Sequence, residues 1–292
     1  MPSTRDIRRR IKSVKNTAQI TKAMQMVAAS KMRKAQQLAL AGRPYAALMN
    51  NVLAAVTPNA GDFRHPLMEW REIKKRGIVL VSTDKGLCGA LNSNLMRETA
   101  QFDKLNTLYL TAGRKGSQFV ARTKRPLVAE FTYKDSPLFS EARAISRFAQ
   151  EWFLKGEVDQ VDVLYTNFIS TLNQKPEVRT LLPVGEITKV GAGVVGENGR
   201  EALPKSAIEY QFEPGAEQVF GALIPHYLNY QVYQYLLEAK ASEHSSRMVA
   251  MKNATDNAKQ LIKDLTLEYN KLRQANITKE LLEITSAAMA MG

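Results

Sequence analysis

The sequence predicts an α/β domain inserted into a long antiparallel α-helical coiled coil that the N- and C-terminal helices form together. The last quarter of the chain, residues 226–291, contains neither proline nor glycine. At 1.5 Å per residue, about 65 helical residues would span on the order of 100 Å. Residues 3–41 lack both residue types as well. A helix of such length needs a second helix against which to bury its apolar stripe, and the two ends of the chain supply the pair.

The N-terminal helix has apolar residues at alternating spacings of three and four, which places them on one stripe. Ser3 or Thr4 can cap its start. Gly42 and Pro44 predict a kink, after which a shorter helix follows over residues 45–56. We therefore predict an N-terminal coiled-coil helix over residues 1–56 and a linker over residues 57–70. The predicted stripe consists of Ile7, Ile11, Val14, Ala18, Met24, Val27, Ala28, Ala35 and Leu38.

Residues 74–190 alternate between strand-like and helix-like patterns. The β-branched run "GIVLVS" at residues 77–82 predicts a buried parallel strand. Four further strands and three helices follow it, the last of them amphipathic over residues 137–153, as expected of a Rossmann-like α/β domain with right-handed crossovers. Residues 191–204 are rich in glycine and predict a loop. The C-terminal coiled-coil helix is predicted over residues 209–292.

The net charge of +13 is concentrated at one end of the chain. Residues 1–34 contain ten basic residues and one acidic residue, Asp6. Such a field favours an acidic partner along the first helix, either a nucleic acid or an acidic protein surface. A merely solvated helix face is the simpler alternative. The basic residues are Arg5, Arg8, Arg9, Arg10, Lys12, Lys15, Lys22, Lys31, Arg33 and Lys34.

No pattern in the chain predicts catalysis. Cys88 is the single cysteine, and the three histidines have no metal-ligand spacing. The glycine pairs at residues 86–89 and 113–116 match neither phosphate-binding template, so a nicotinamide-dependent oxidoreductase, the first-ranked enzyme alternative, lacks its fingerprint. No apolar run approaches the ~20 residues of a membrane span. We expect no catalytic residue, cofactor, metal site or transmembrane segment.

Two features of the C-terminal helix predict contacts outside the chain. Residues 239–258 are mostly small, so a standalone coiled coil would lack large apolar anchors there and would depend on an outside sleeve. The terminal stretch "LLEITSAAMAMG" is apolar, although chain ends are usually polar. It predicts insertion into an apolar socket, with packing back onto the first helix as the alternative.

Three stretches resemble the gamma subunit family of F-type ATP synthases. They are "RRRIKSVKNTAQITKAMQMVAASKMRKAQ", "STDKGLCGALN" and "ASEHSSRMVAMKNATDNAKQLIKDLTLEYNKLRQANITKELLEI". The resemblance implies a non-catalytic central-stalk rotor. Its implied partners are three alpha and three beta subunits, the epsilon subunit and the ring of c subunits, with ATP chemistry on the hexamer. Because the N-terminus shows no targeting segment, we expect a peripheral position at the cytoplasmic face of a bacterial membrane. A basic coiled-coil protein that binds nucleic acid is the alternative.

The same resemblance implies six partner contacts. Met24 and Arg247 match positions where the shaft meets an acidic lever loop of the beta subunit. Gln274 and Thr278 match positions that contact the inside of the hexamer. Two foot residues match positions near epsilon and the c ring; they are Tyr210 and Glu213. The family usually has two glycines where this chain has Gly89 and Ala90, and the small alanine is expected to have little consequence.

Overall fold

The computed structural model describes residues 3–56, 65–185, 213 and 215–291. The chain divides into two compact units, one formed by Met1–Ser30 with Arg247–Gly292 and the other by Lys31–Ser246. The predicted fold class is confirmed, because long terminal helices accompany a mixed sheet with helices. The functional division into residues 1–56, 74–190 and 209–292 stays a prediction.

The terminal helices are α1, Thr4–Val56, and α5, Ala216–Met291. Pro44 lies inside α1 and Pro225 lies inside α5, so the separate helix predicted over residues 45–56 is wrong. A proline removes one backbone hydrogen bond, but tertiary packing can outweigh that loss. Here Leu53 is fully buried, and the Tyr230 hydroxyl of α5 donates a hydrogen bond to the Gly42 carbonyl. These contacts hold α1 helical beyond its proline.

In the unit of Met1–Ser30 and Arg247–Gly292, α1 and α5 pair antiparallel. Arg8 Nη2 donates to the Tyr269 hydroxyl at 2.6 Å, and the hydroxyls of Thr21 and Thr255 lie 2.7 Å apart. Residue numbers increase along α1 while those of the contacting residues on α5 decrease, so the two helices are antiparallel. The inward residues of α5 recur at alternating intervals of four and three, which is a heptad seam. They are Met251, Thr255, Ala258, Ile262, Leu265, Tyr269 and Leu272.

The seam of α1 differs from the predicted stripe at two positions. Val27 is 54% exposed and Leu38 is 36% exposed, so neither belongs to the buried face. The predicted stripe placed them there because they are apolar, but each lies about 100° around the helix from a buried alanine, Ala28 or Ala39. The small residue faces inward and the larger one faces outward. Composition alone therefore misassigned these two positions.

The unit of Lys31–Ser246 contains a five-stranded sheet in the order β3-β2-β1-β4-β5. Strands β1 to β4 are parallel, and β5 runs antiparallel to β4, with Val163 opposite Arg179. In the parallel part, Val79 of β1 lies between Leu110 and Val163. The remaining elements are β1 Arg76–Val81, α2 Leu91–Gln101, β2 Thr107–Ala112, α3 Arg114–Arg122, β3 Leu127–Phe131, α4 Phe139–Leu154, β4 Gln160–Phe168 and β5 Gln174–Leu182.

Both faces of the sheet are buried, which explains why β1 is a continuous apolar run. Ile78 and Leu80 pack on one face with residues of α2 and α3, in a cluster that includes Leu95 and Val120. The alternate residues Val79 and Val81 pack on the other face. That second cluster includes Ala149, Trp152 and Phe153 of α4, and Phe220, Ile224, Leu228, Val232 and Leu236 of α5. The C-terminal helix is thus part of the core of the α/β unit.

The predicted linker over residues 57–70 is wrong in its second half. Pro66–Met68 forms a 3-10 turn, and Leu67 is 1% exposed in the core. The Val184 backbone N–H donates to the Leu67 carbonyl at 2.9 Å, which ties this turn to the end of β5. Residues 57–64 and the predicted loop over residues 191–204 lie outside the described residues.

Candidate partner-binding surfaces

The residues predicted to contact partners lie at separate places. Met24 and Arg247 are half-buried, Met24 on α1 and Arg247 on α5. Gln274 and Thr278 are exposed on α5, about 40 Å farther along that helix at 1.5 Å per residue. The structure therefore does not bring these four residues into one site.

Thr278 and Glu213 have different local environments. Thr278 Oγ1 donates to the Gln274 carbonyl at 2.9 Å, so this hydroxyl is satisfied within its own helix. Glu213 is exposed, and Tyr210 lies outside the described residues.

The start of α1 presents its positive charge to solvent. Ser3 Oγ donates to Asp6 Oδ2 at 2.8 Å, and the Asp6 N–H donates back to Ser3 Oγ at 3.2 Å, which is a reciprocal cap. This hydrogen bonding from Ser3 lowers the pKa of Asp6. The one acidic residue of the segment therefore caps the helix. The exposed cations on this part of α1 are Arg5, Arg8, Arg9, Arg10, Lys12, Lys15 and Lys22.

The end of α5 presents apolar side chains to solvent. The seam of α5 ends at Leu272, because α1 begins at Thr4 and the Arg8–Tyr269 contact already lies near that end. Residues 273–289 are exposed throughout, and Leu282 and Ile284 are 61% and 65% exposed. The sequence offered the alternative that this end packs onto the first helix. That alternative is therefore wrong for the described residues. An exposed apolar stripe of this kind indicates an interaction surface.

In the α/β unit, helix α5 covers the edge at which doubly wound sheets commonly bind ligands. Such folds bind beyond the carboxyl ends of the strands, where the strand order reverses, which here is between β1 and β4. Ser242 Oγ donates to the carbonyl of Thr166 in β4 at 2.9 Å, and Ser245 Oγ donates to the Thr171 carbonyl at 2.8 Å. These serines dock α5 onto that edge, so a helix takes the place that a nucleotide has in other proteins of this architecture.

Beside these serines, Lys240 is the centre of a buried ionic cluster. Lys240 is 1% exposed, and its Nζ lies 3.0 Å from Glu243 Oε2 and 3.7 Å from Asp135 Oδ1. It also lies 4.4 Å from the centre of the Tyr133 ring. Asp135 in turn accepts a hydrogen bond from Lys31, which lowers the pKa of the carboxyl. The cluster joins α1, α5 and the segment after β3 within one unit.

Burial of Tyr133 raises the pKa of its hydroxyl well above the ordinary value, and this hydroxyl donates to the Ser82 carbonyl at 3.0 Å. The tyrosine thus connects the ionic cluster to the end of β1. Sequence reasoning missed the cluster. Its only signal was a lysine, a glutamate and a histidine in a run of small residues, "AKASEHSS".

The turn after β1 is held by structural hydrogen bonds. Asp84 Oδ1 accepts from the Arg114 N–H at 3.0 Å and so caps α3. Asn92 Nδ2 donates to Thr83 Oγ1 at 2.8 Å and to the sulfur of buried Cys88 at 3.3 Å. Gly89 has φ of 58°, whereas Ala90 has φ of −85°. Only the first position needs glycine, so alanine at the second is unstrained.

A family model described as ATP synthase matches residues 3–291 of this chain. The chain belongs to the ATP synthase family. It is 51% identical to the ATP synthase gamma chain of Opitutus terrae over 292 residues, which covers 99% of both chains. It is 47% identical to the gamma chain of Methylacidiphilum infernorum over the full length of both.

A solved structure supports the same assignment. A chain in the central stalk and c-ring structure of the Tetrahymena thermophila mitochondrial ATP synthase is 27% identical, with a TM-score of 0.59 over 80% of this chain and 99% of that one. The nucleic-acid alternative finds no support in these matches. In the described part of this ATP synthase family chain, no helix is both long and apolar enough to cross a membrane.

Proposed function

We propose that this chain is the central-stalk rotor of an F-type ATP synthase, which couples rotation of the c ring to conformational cycling of the alpha/beta catalytic hexamer. Its function is mechanical, and ATP chemistry takes place on the hexamer. The partners are three alpha and three beta subunits, the epsilon subunit and the c ring. The chain is a peripheral part of the membrane complex, and we place it on the cytoplasmic side of a bacterial membrane.

The observation that carries this proposal is the end-to-end similarity to gamma chains, at 51% identity over 99% of the chain. The geometry agrees with a rotor in two respects. The helix pair has a heptad seam that mixes small residues such as Ala28 and Ala258 with larger ones such as Leu265, and the end of α5 extends beyond its partner with its apolar side chains exposed. A shaft needs a stiff pair of helices and an end that an outside bearing can enclose.

The contact roles follow from the chemistry of each position. The exposed cations of α1 suit acidic loops, because opposite charges attract at long range and the contact can be remade at each step of a rotation. Met24 and Arg247 are proposed to meet the acidic lever loop of beta. Gln274 and Thr278 are proposed to touch the inside of the hexamer. The foot residues Tyr210 and Glu213 are proposed to face epsilon and the c ring.

Reconstitution with purified alpha and beta subunits tests the proposal. Gel-filtration mass and ATPase activity are measured with and without the chain. We expect one copy per hexamer and a higher turnover. A chain that stays free while alpha and beta assemble normally would contradict the rotor function, and steeply salt-dependent binding to nucleic acid would then favour the alternative.

Substitution of Arg247 tests its proposed contact. Arg247→Ala should lower ATP synthesis by the assembled complex several-fold, while the helicity of the isolated chain stays unchanged. Lys259→Ala is a matched control, because Lys259 is exposed on the same helix and pairs only with Asp256 at 3.5 Å among the described residues. Synthesis at the wild-type rate in Arg247→Ala would remove Arg247 from the contact surface.

A further inference from the structure

A groove between α2 and α3 has no role in the fold or in the proposed rotor function. Its volume is about 300 Å³. Helix α2 contributes Asn92, Ser93 and Met96 to its lining, and α3 contributes Lys115, Phe119 and Arg122. The two helices follow β1 and β2, which are parallel neighbours, so the groove runs between adjacent helices on one face of the sheet.

The two cations in the first turn of α3 lie where they destabilise the helix, whereas Arg122 in its last turn lies where the helix dipole favours a cation. Arg114 and Lys115 lie in its first turn, where the helix dipole disfavours cations, and α3 contains no acidic residue. Among residues 65–185 and the other described parts, neither Lys115 nor Arg122 forms an ion pair. Lys115 therefore has an unfavourable position without a compensating ion pair, which indicates a function for its charge.

The floor of the groove between these cations is apolar. Met96 and Phe119 are half-buried and pack on the core cluster beneath α2 and α3. Lys115, Phe119 and Arg122 follow each other at i, i+4 and i+7, so they share one face of α3. The two cations are separated by two turns, about 10 Å along the helix. The groove therefore presents an apolar centre with a positive charge toward each end.

We propose that this groove binds an amphipathic acidic helix of a partner protein, with carboxylates two turns apart on either side of an apolar side chain. A helix fits into a groove between two helices through such anchors, and complementary charge fixes its register. The backbone positions of the two cations are about 10 Å apart along the helix, a spacing that two carboxylates two turns apart match more closely than a single phosphate group does. One end of the groove lies beside the turn after β1, because Asn92 of its lining donates to Thr83 Oγ1.

A photo-crosslinking probe tests this site on the full chain. The probe is a 16-residue alanine-based helical peptide, sized at roughly four turns, with Glu about two turns apart, Leu between them and a benzophenone side chain beside the Leu. Labelled positions are mapped by mass spectrometry at about 0.15 M salt, where weak attraction to α1 is screened. We expect the adduct at Met96. Lys115→Glu with Arg122→Glu should reduce that adduct at least tenfold.

Two controls separate groove binding from general attraction to a basic protein. Arg97→Glu with Lys124→Glu makes the same charge change at exposed positions that do not line the groove, and should leave the Met96 adduct intact. A peptide with Lys in place of both Glu should label the Lys115→Glu, Arg122→Glu protein at Met96. That rescue also shows that the double variant is folded.

Three results would overturn the proposal. One is an adduct yield at Met96 that the groove variant does not change. Another is labelling that falls mainly on α1. The third is displacement of the peptide by millimolar pyrophosphate or ATP, which would assign the groove to a phosphate-bearing ligand. The rotor proposal does not depend on any of these outcomes, because the groove lies outside the residues assigned to the hexamer, epsilon and the c ring.

Discussion

The helix pair formed by the ends of α1 and α5 buries less apolar surface than the α/β unit does. In the unit of Met1–Ser30 and Arg247–Gly292, the buried apolar side chains are few and two of them are alanines: Ile7, Ala28, Met251, Ala258 and Leu265. In the α/β unit, strand β1 alone buries Ile78, Val79 and Leu80 completely. Apolar burial stabilises by about 25 cal/mol per Å². Apolar burial therefore stabilises the α/β unit strongly and the helix pair only weakly.

This difference teaches how one chain can combine a rigid body with a shaft. The α/β unit buries both faces of its sheet and needs no partner for its core. The helix pair has a heptad seam that includes small residues such as Ala28 and Ala258, and it leaves residues 273–289, about five turns of α5, exposed. Small seam residues allow close approach of the helices but contribute little burial. Stability of the shaft must then come largely from what surrounds it.

The largest expected effect is in the core of the α/β unit. Phe153 is fully buried, so Phe153→Ala should lower the free energy of unfolding of that unit by about 4 kcal/mol. Leu265→Ala in the helix pair should cost about 2 kcal/mol, because the shallow seam can collapse around the smaller side chain. Urea unfolding, followed by tryptophan fluorescence for the sheet and far-UV circular dichroism for the helices, measures both. Equal costs at the two positions would contradict the comparison.

A second contrast is between a buried and an exposed cation. Lys240→Ala removes the cation that lies 3.0 Å from buried Glu243, and should cost about 3 kcal/mol. Arg8→Ala removes an exposed contact to Tyr269 and should cost less than about 1 kcal/mol.

Thermal unfolding of the two variants compares these costs. The paired substitution Lys240→Met with Glu243→Gln should recover much of the loss, since it removes both buried charges together. A double variant as unstable as Lys240→Ala alone would show that the ionic pair is not the cause.

The smallest expected effect is on the stability of the fold at acidic pH. The hydrogen bond from Lys31 lowers the pKa of Asp135 from its ordinary 3.8, so ionised Asp135 stabilises the folded state above that pH. This stability is lost as the pH falls through the lowered pKa. Asp135→Asn should therefore cost less than about 1 kcal/mol at neutral pH, since the carboxyl is half exposed, and the difference from wild type should close in acid. Lys31→Met should change the same pH dependence of the free energy of unfolding, measured by urea unfolding between about pH 6 and 2. A difference that does not vary with pH would contradict this origin.

The sequence predicted the elements with strong periodicity. The apolar run of β1, the amphipathic helix α4 and the breaker-free ends of the chain each fall where the pattern placed them. The end of the sheet was harder to predict. Only residues 169–173 separate β4 from β5, too few for a crossover, so β5 turns back antiparallel. Gly42 and Pro44 were predicted to kink α1 ahead of a separate helix, but contacts such as that of Tyr230 with the Gly42 carbonyl override local preference.

The candidate surfaces also divide into those that the sequence predicts and those that it does not. The positive field of α1 and the apolar end of α5 are visible in the sequence, because both depend on composition. The ionic cluster around Lys240 and the groove between α2 and α3 are not, because each assembles residues that lie far apart in the chain. Lys31, Asp135 and Lys240 meet only once the sheet and both long helices have formed.

Hydrogen–deuterium exchange of the chain, free and assembled with alpha and beta subunits, tests the dependence of the shaft on its surroundings most directly. In the free chain, amides of residues 273–291 should exchange orders of magnitude faster than those of β1 and β4, because exposed terminal helix opens locally at little cost. Assembly should slow exchange at residues 273–291 strongly and leave β1 and β4 unchanged. Strong protection of residues 273–291 in the free chain, or no gain on assembly, would contradict a shaft that partners must stabilise.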